Sequence, residues 1–236
     1  MAVDQNPIRS RRERPAKPAL TREGIVTTAV RLMRAEGLQK VTMRRLAQEL
    51  DTGPASLYVY VASTAELHAA VLDELLGTVD LEPVRARGDW RDRLIGVLTS
   101  YTTVLFAHPE LARAALVARP SGRHYLRLVE GLLALLDEGG VPPAQAAWGV
   151  DLLLLQATAT ATEHTGRTDG EEAAGWDALV RALRAASPSH PHLAAVAGEL
   201  LSGEPRERLT WGFLALINGI AYTPRHAARN SEEHKS

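Results

Sequence analysis

An all-α chain is predicted, on three observations. Apolar residues recur at helical spacing along most of the 236 residues. No run of alternating β-branched residues is present, so a sheet is not expected. Prolines and glycines cluster between the periodic segments, where helices must stop and start. Together these describe an N-terminal group of three short helices followed by a larger C-terminal helical bundle.

Residues 1–20 hold Pro7, Pro15 and Pro18 among Arg9, Arg11, Arg12, Arg14 and Lys17, with no apolar period, and read as a disordered basic tail. Thr21 is placed to cap a first helix. Its buried face is Ile25, Val26, Ala29, Val30, Leu32 and Met33, and Gly37 ends it. Thr42 caps a second helix with Leu46, Ala47 and Leu50 on its inner face. A turn at Asp51-Thr52-Gly53 follows, in which Gly53 is expected to supply positive φ. Pro54 suits the first turn of a third helix, where a missing N–H is harmless. Leu57 and Val61 point inward there, and the polar and aromatic positions point outward. Two short helices crossed over a tight turn are the build of a helix-turn-helix DNA reader.

A fourth helix is expected from about Thr64 to Val79, with Leu67, Val71 and Leu75 on one face. After the break at 83–88, Trp90 to Ala107 carries the stripe Leu94, Val97, Leu98, Tyr101 and Leu105. Pro109 starts a short helix to about Val117, and Gly122 to Glu138 forms another, ended by Gly139-Gly140. Pro143 to about His164 is long and apolar on most sides. A polar loop at 166–170 precedes shorter helices at 171–186 and 192–201. Arg206 to Tyr222 is the last helix, closed by Pro224 and a polar tail. A helix apolar all round must be covered all round. Two such helices, Pro143–His164 and Arg206–Tyr222, imply either a large monomeric core or a surface shared with a second subunit.

Net charge is −1, unevenly spread: residues 1–60 hold eleven Lys and Arg against six Asp and Glu, and the remainder is correspondingly acidic. A basic N-terminal part joined to an acidic body fits a regulator facing a polyanion, or a merely solvated tail. There are no cysteines, which excludes a disulfide framework and a thiolate metal site. Residues 1–20 do not read as a secretion signal, and the charge-free stretch Leu209–Pro224 is shorter than the roughly 20 residues of a membrane span. A cytoplasmic location is expected, with no membrane partner.

Leu20-Thr21-Arg22-Glu23, Ala35-Glu36-Gly37-Leu38, Val41 to Ala47 and Leu57 to Val61 together resemble the DNA-binding domain of the tetracycline-repressor (TetR) family. The segment Arg206–Ile220 resembles the family's last helix, and the 109–165 region its variable ligand-binding part. The resemblance implies an all-helical homodimer that reads two half-sites of a near-palindromic duplex, about one helical turn apart, and pairs its long C-terminal helices as a four-helix bundle. It places Arg44 either at a base edge, where Arg suits guanine O6 and N7, or at a phosphate. It places Pro54, Ala55 and Val59 at base-facing positions, where they can touch thymine methyls. Ser56, Tyr58 and Tyr60 fall at phosphate-binding positions. Thr64 stands where family members often carry a phosphate-binding Lys, and Met43 replaces a frequent hydroxyl residue. The Arg-rich tail at 9–17 is expected to compensate by lying in a minor groove or tracking the backbone.

By the same resemblance, the C-terminal part holds a cavity for an unidentified small-molecule effector. Candidates for its lining are the polar and aromatic groups within otherwise apolar helices: Tyr101, His124, Tyr125, Trp148, Gln156, Thr160, Glu163 and Trp176, with Asn218 beside them. Gln156, Thr160 and Glu163 share a helical face by spacing. An apolar or aromatic compound is expected. No cofactor is expected. No H-E-x-x-H, G-x-S-x-G or glycine-rich phosphate loop is present, and the eight histidines lack ligand spacing, so the chain does not read as an enzyme.

The expected organisation is therefore a tail at 1–20, a helix-turn-helix domain at 21–67, a helical effector-binding and dimerisation domain at 68–224 and a polar tail at 225–236. The expected function is a ligand-responsive transcriptional regulator, a repressor released from its operator by a small molecule. The alternative is a helix-turn-helix architectural or adaptor protein without an effector.

Overall fold

The computed structural model describes residues 19–117, 120–163, 169–186 and 189–225. The tail expected at 1–20 therefore falls almost wholly outside the described residues. So do most of the polar loop expected at 166–170 and residues 226–236. Among the described residues there are eleven α-helices and no strand. The chain divides into two compact units, one ending at Ala62 and the other beginning at Ser63.

In the first unit, α1 (Arg22–Glu36), α2 (Met43–Glu49) and α3 (Pro54–Tyr58) enclose a small core. Each helix starts where local chemistry satisfies its first amides. Thr21 Oγ1 accepts from the Gly24 amide at 3.0 Å, and Thr42 Oγ1 from the Arg45 amide at 3.2 Å. Gly37 (φ 88°) ends α1 in a conformation that few other residues adopt. Ile25, Ala29 and Leu32 of α1, Leu46 and Ala47 of α2, and Leu57 and Val61 are essentially closed to solvent. The turn between α2 and α3 differs from expectation. Gly53 is extended (φ −81°), and the positive φ falls on Asp51 (φ 49°). A short polar side chain tolerates that region, which leaves Gly53 to serve as the N-cap of α3.

An ion-pair network ties α1 to α2. Arg45 pairs with Glu36 at 2.6 Å and with Glu49 at 2.7 Å, and Glu49 also binds Arg31 at 2.7 Å. Its hydrogen bonds with Glu36 and then Glu49 raise the Arg45 pKa further above an already high value. Those from Arg31 and then Arg45 hold the Glu49 carboxyl below the usual range.

The second unit opens with α4 (Thr64–Leu76), capped by Ser63 Oγ accepting the Glu66 amide at 3.1 Å. The helix stops at Leu76, short of the expected Val79, because Gly77 to Val79 fold back in a turn. The boundary expected at residue 67 falls inside this helix. The whole helix goes with the second unit, because its buried face packs on α6 (Pro109–Val117) and α7 (Arg123–Glu138). The bundle is centred on α5 (Trp90–Ala107) and α8 (Pro143–Glu163), which pack on each other and share neighbours in α6, α7 and α11 (Pro205–Tyr222). The α5 stripe Leu94, Val97, Leu98, Tyr101 and Leu105 is buried throughout. At the crossing of α8 and α11, a Cβ on Gly149 would lie 2.6 Å from the Ile220 side chain, so only glycine permits that approach. The remaining pair, α9 (Asp169–Ala186) and α10 (Pro191–Leu200), pack on each other.

Because the Glu49 pKa is depressed in the folded chain, its stabilisation is present above the ordinary carboxylate pKa of about 4.3 and is lost as pH falls through the lowered value. Glu49→Gln is expected to lower the melting temperature at neutral pH. The gap from the unsubstituted protein should close on acidification, as followed by circular dichroism; a gap independent of pH would exclude this role.

Candidate functional site

Burial of Leu57 and Val61, four residues apart, decides what the third helix shows to solvent. Its short α-helical stretch continues as a turn, with the amides of Tyr60 and Val61 both bonded to the Leu57 carbonyl. Pro54, Ala55, Ser56, Tyr58, Val59 and Tyr60 are all exposed. Val59 reaches 81%, more than either neighbouring tyrosine. An apolar side chain at that exposure, flanked by two exposed tyrosines, forms a surface with an apolar centre and hydroxyl edges. Such a surface matches a groove floor of base edges between two rows of phosphates.

The two adjacent arginines of α2 have separate fates. Arg45 is committed to Glu36 and Glu49, whereas Arg44 is exposed and joins no ion pair among the described residues. The sequence singled out Arg44 but missed the network that holds Arg45; the Arg45–Glu49 spacing of four residues was the available signal. Thr64 is exposed in the first turn of α4.

The effector candidates do not gather in one place. Tyr101 and Tyr125 line a cavity of about 80 Å³, together with Ala115, Leu116, Pro120, Leu154, Leu155, Asp151 and Thr158. His124 lines a separate groove of about 720 Å³ beside α7, with Gly77, Asp80 and Arg127. Trp148 borders a groove of about 360 Å³ between α8 and α11, and Arg225 stacks over its ring at 4.1 Å. Gln156 donates to Thr160 at 3.3 Å on the surface of α8, as their spacing implied, and Glu163 is exposed at the end of that helix. Trp176 is about half exposed on α9. Asn218 accepts from Arg91 at 3.0 Å and ties α11 to α5. Asp151 and Thr158 were not anticipated as lining; the signal that singled out Thr160, a polar residue within an apolar helix, applies equally to Thr158 two residues away.

The polar chemistry of the small cavity is well defined. Thr158 Oγ1 donates to the Leu154 carbonyl at 2.7 Å, so its one proton is used. The Tyr101 hydroxyl, 2.9 Å away, must therefore be the donor to Thr158. Burial pushes the Tyr101 pKa up to about 12, which keeps the phenol neutral. The result is a buried aromatic hydroxyl beside a small, half-open chamber of mixed polar and apolar lining, with Tyr125 as a second aromatic wall.

From the border of this chamber at Leu155 outward, α8 and α11 leave large apolar side chains open to solvent. Trp148, Leu152 and Leu155 follow one another at helical spacing on α8, and Trp211, Leu214 and Tyr222 do so on α11, with Trp211 at 72% exposure. Gln145 Nε2 donates to the Ile220 carbonyl at 3.0 Å and holds the two helices together beneath that face.

Comparison with known proteins agrees with these features. Residues 25–71 match the family model of bacterial regulatory proteins of the tetR family, and residues 82–223 match that of the tetracyclin repressor-like C-terminal domain. A helix-turn-helix transcriptional regulator of Saccharopolyspora erythraea is 31% identical over 188 residues, covering 79% of each chain. Among solved structures, a transcription regulator from Streptomyces coelicolor superposes with a TM-score of 0.77 at 61% identity, over 90% of this chain and 100% of that one. ActR of Streptomyces coelicolor, in complex with actinorhodin, superposes with a TM-score of 0.72 at 37% identity, over 86% and 96% of the two chains. The chain belongs to the TetR family of bacterial transcriptional regulators. It is a DNA-binding regulator of the helix-turn-helix type, and no helix among the described residues is long and apolar enough to cross a membrane.

The donor assignment in the cavity predicts an asymmetry. Thr158→Val leaves the buried Tyr101 hydroxyl without an acceptor and should cost about 1–3 kcal/mol, whereas Tyr101→Phe removes one neutral bond and should cost about 0.5–1.5 kcal/mol. Denaturant unfolding measures both; Tyr101→Phe proving the more damaging would reverse the assignment.

Proposed function

We propose that the protein is a homodimeric repressor, acting in the cytoplasm by binding rather than by catalysis, whose hold on a near-palindromic operator is released by an aromatic small molecule. The observation that carries this reading is the outward surface of Pro54 to Tyr60, a hydroxyl-flanked apolar strip at the third helix of a helix-turn-helix. Arg44 reaches a base edge, Pro54, Ala55 and Val59 sit against bases, and Ser56, Tyr58, Tyr60 and Thr64 donate to phosphates. Two copies joined through the open faces of α8 and α11 form an isologous four-helix bundle. The exposed Trp148 and Trp211 supply the large aromatic anchors that such interfaces favour. A symmetric pair of readers then spans two major grooves, roughly 34–36 Å apart.

The effector enters the chamber of Tyr101, Tyr125 and Thr158. Its ligand-free volume of about 80 Å³ is far below the several hundred that drug-sized ligands occupy, so binding requires the helices around it to separate. A ligand that fits only the expanded arrangement shifts the population toward it, and a coupling of about 1–3 kcal/mol alters operator affinity roughly 5–150-fold. The neutral phenol and the aromatic wall suit a compound with aromatic rings and a hydrogen-bond acceptor. Actinorhodin, with which ActR forms a complex, is the first probe to try.

Selection of bound fragments from genomic DNA, followed by mobility shifts with and without candidate compounds, tests the reading. A sequence-specific complex that actinorhodin or a related aromatic releases is the expected result; salt-sensitive, sequence-independent binding alone would reject it. On the selected duplex, Arg44→Ala should cost about 1–3 kcal/mol and relax specificity at a single base pair. A uniform loss with a shallower salt dependence would instead assign Arg44 to a phosphate. Trp148→Glu with Trp211→Glu should yield monomers by light scattering and abolish specific binding. A dimer that survives both would place the interface elsewhere.

A further inference from the structure

We infer that Asp73 is a positioning residue that links the effector chamber to α4, the helix that follows the DNA reader in the chain; this rests on the reading of the chamber given above. Asp73 opens the last turn of α4 and is only 6% exposed. A carboxylate at that depth requires compensation for lost hydration. Among the described residues no ion pair supplies it. Instead, its two oxygens accept the first-turn amides of α7, from Tyr125 at 2.9 Å and from His124 at 3.4 Å. Those amides are the unsatisfied positive end of a 16-residue helix, where a carboxylate is favoured.

α7 has no side-chain cap of its own, because its N-cap residue is Gly122. A Cβ there would lie 2.1 Å from Asp73 Oδ2. The absence of a side chain at 122 is thus what admits a cap from another helix. Beside it, Glu74 of α4 meets Arg123 at 3.4 Å. Two consecutive α4 carboxylates therefore grip the start of α7.

Tyr125 joins this grip to the chamber. Its amide is held by Asp73 while its side chain lines the space beside Tyr101 and Thr158. A ligand that enlarges the chamber by moving Tyr125 carries the first turn of α7 with it. Asp73 must then follow or be left buried with unsatisfied oxygens, which is the costlier outcome. In the ligand-free protein the same bonds hold α4 in one arrangement, so duplex binding does not have to order it.

The test uses the full-length dimer and the selected duplex. Asp73→Ala is expected to weaken duplex binding at least fivefold per folded dimer, and to speed hydrogen exchange at the His124 and Tyr125 amides at least tenfold relative to amides within α8. Asp73→Asn keeps one acceptor oxygen and should return affinity to within about threefold of the unsubstituted protein. Tyr125→Ala should change duplex affinity when Asp73 is present and add nothing in the Asp73→Ala background. Should Asp73→Ala fail to fold, Gly122→Ala displaces the carboxylate without removing it and carries the same expectations. Folded Asp73→Ala or Gly122→Ala dimers that bind as the unsubstituted protein does, or strictly additive effects with Tyr125→Ala, overturn the role of Asp73 alone. An unsubstituted protein that retains no duplex overturns the regulator reading and this inference with it.

Discussion

Leu57 and Val61 are closed to solvent within a unit whose third helix has only five α-helical residues. An isolated helix of that length does not persist in water, because nucleation costs more than so few hydrogen bonds return. Its existence therefore depends on burying these two side chains, each contributing about 1.5–3 kcal/mol, in the core where the third helix packs on α2. The same burial turns Ser56, Tyr58, Val59 and Tyr60 outward. Reader and core are one constraint seen from two sides: whatever holds Leu57 in also holds Val59 out.

The larger unit works the same way around α8. Its inner residues Leu154 and Thr158 face the chamber shared with Tyr101, while Trp148 and Leu152 stand on the outer face that leaves apolar surface open. One helix thereby presents one face to that chamber and another to solvent. Gly149 lets α11 approach α8 closely at Ile220. The neighbours α6 and α7 pack on α8 and also on α4, so they connect the surroundings of the chamber to that helix.

Much of this was legible in the sequence where the determining chemistry is local. The hydroxyls of Thr21 and Thr42 cap helices because of bonds made within three residues, and the apolar stripe of α5 follows from helical period alone. Local reasoning misplaced two features. Positive φ in the turn fell on Asp51 although a glycine stood two residues away, because the end of α2 sets the conformation of the residues that leave it. The fourth helix ended at Leu76, since the fold-back at Gly77–Val79 competes with a pattern that could have continued.

The sequence by itself determined the all-helical architecture, the helix-turn-helix and the outward face of its reader, because periodicity and capping act over a few residues and the spacing of Leu57 and Val61 leaves one arrangement. Only the tertiary structure decided that Arg45 is bound while Arg44 joins no ion pair among the described residues, that Tyr101 and Tyr125 share a chamber while Trp148 and Trp176 do not, and that Asp73 caps a helix some fifty residues further along the chain. Those outcomes depend on which faces of distant helices meet, and a pattern of apolar and polar positions says which side of a helix is buried but not against what.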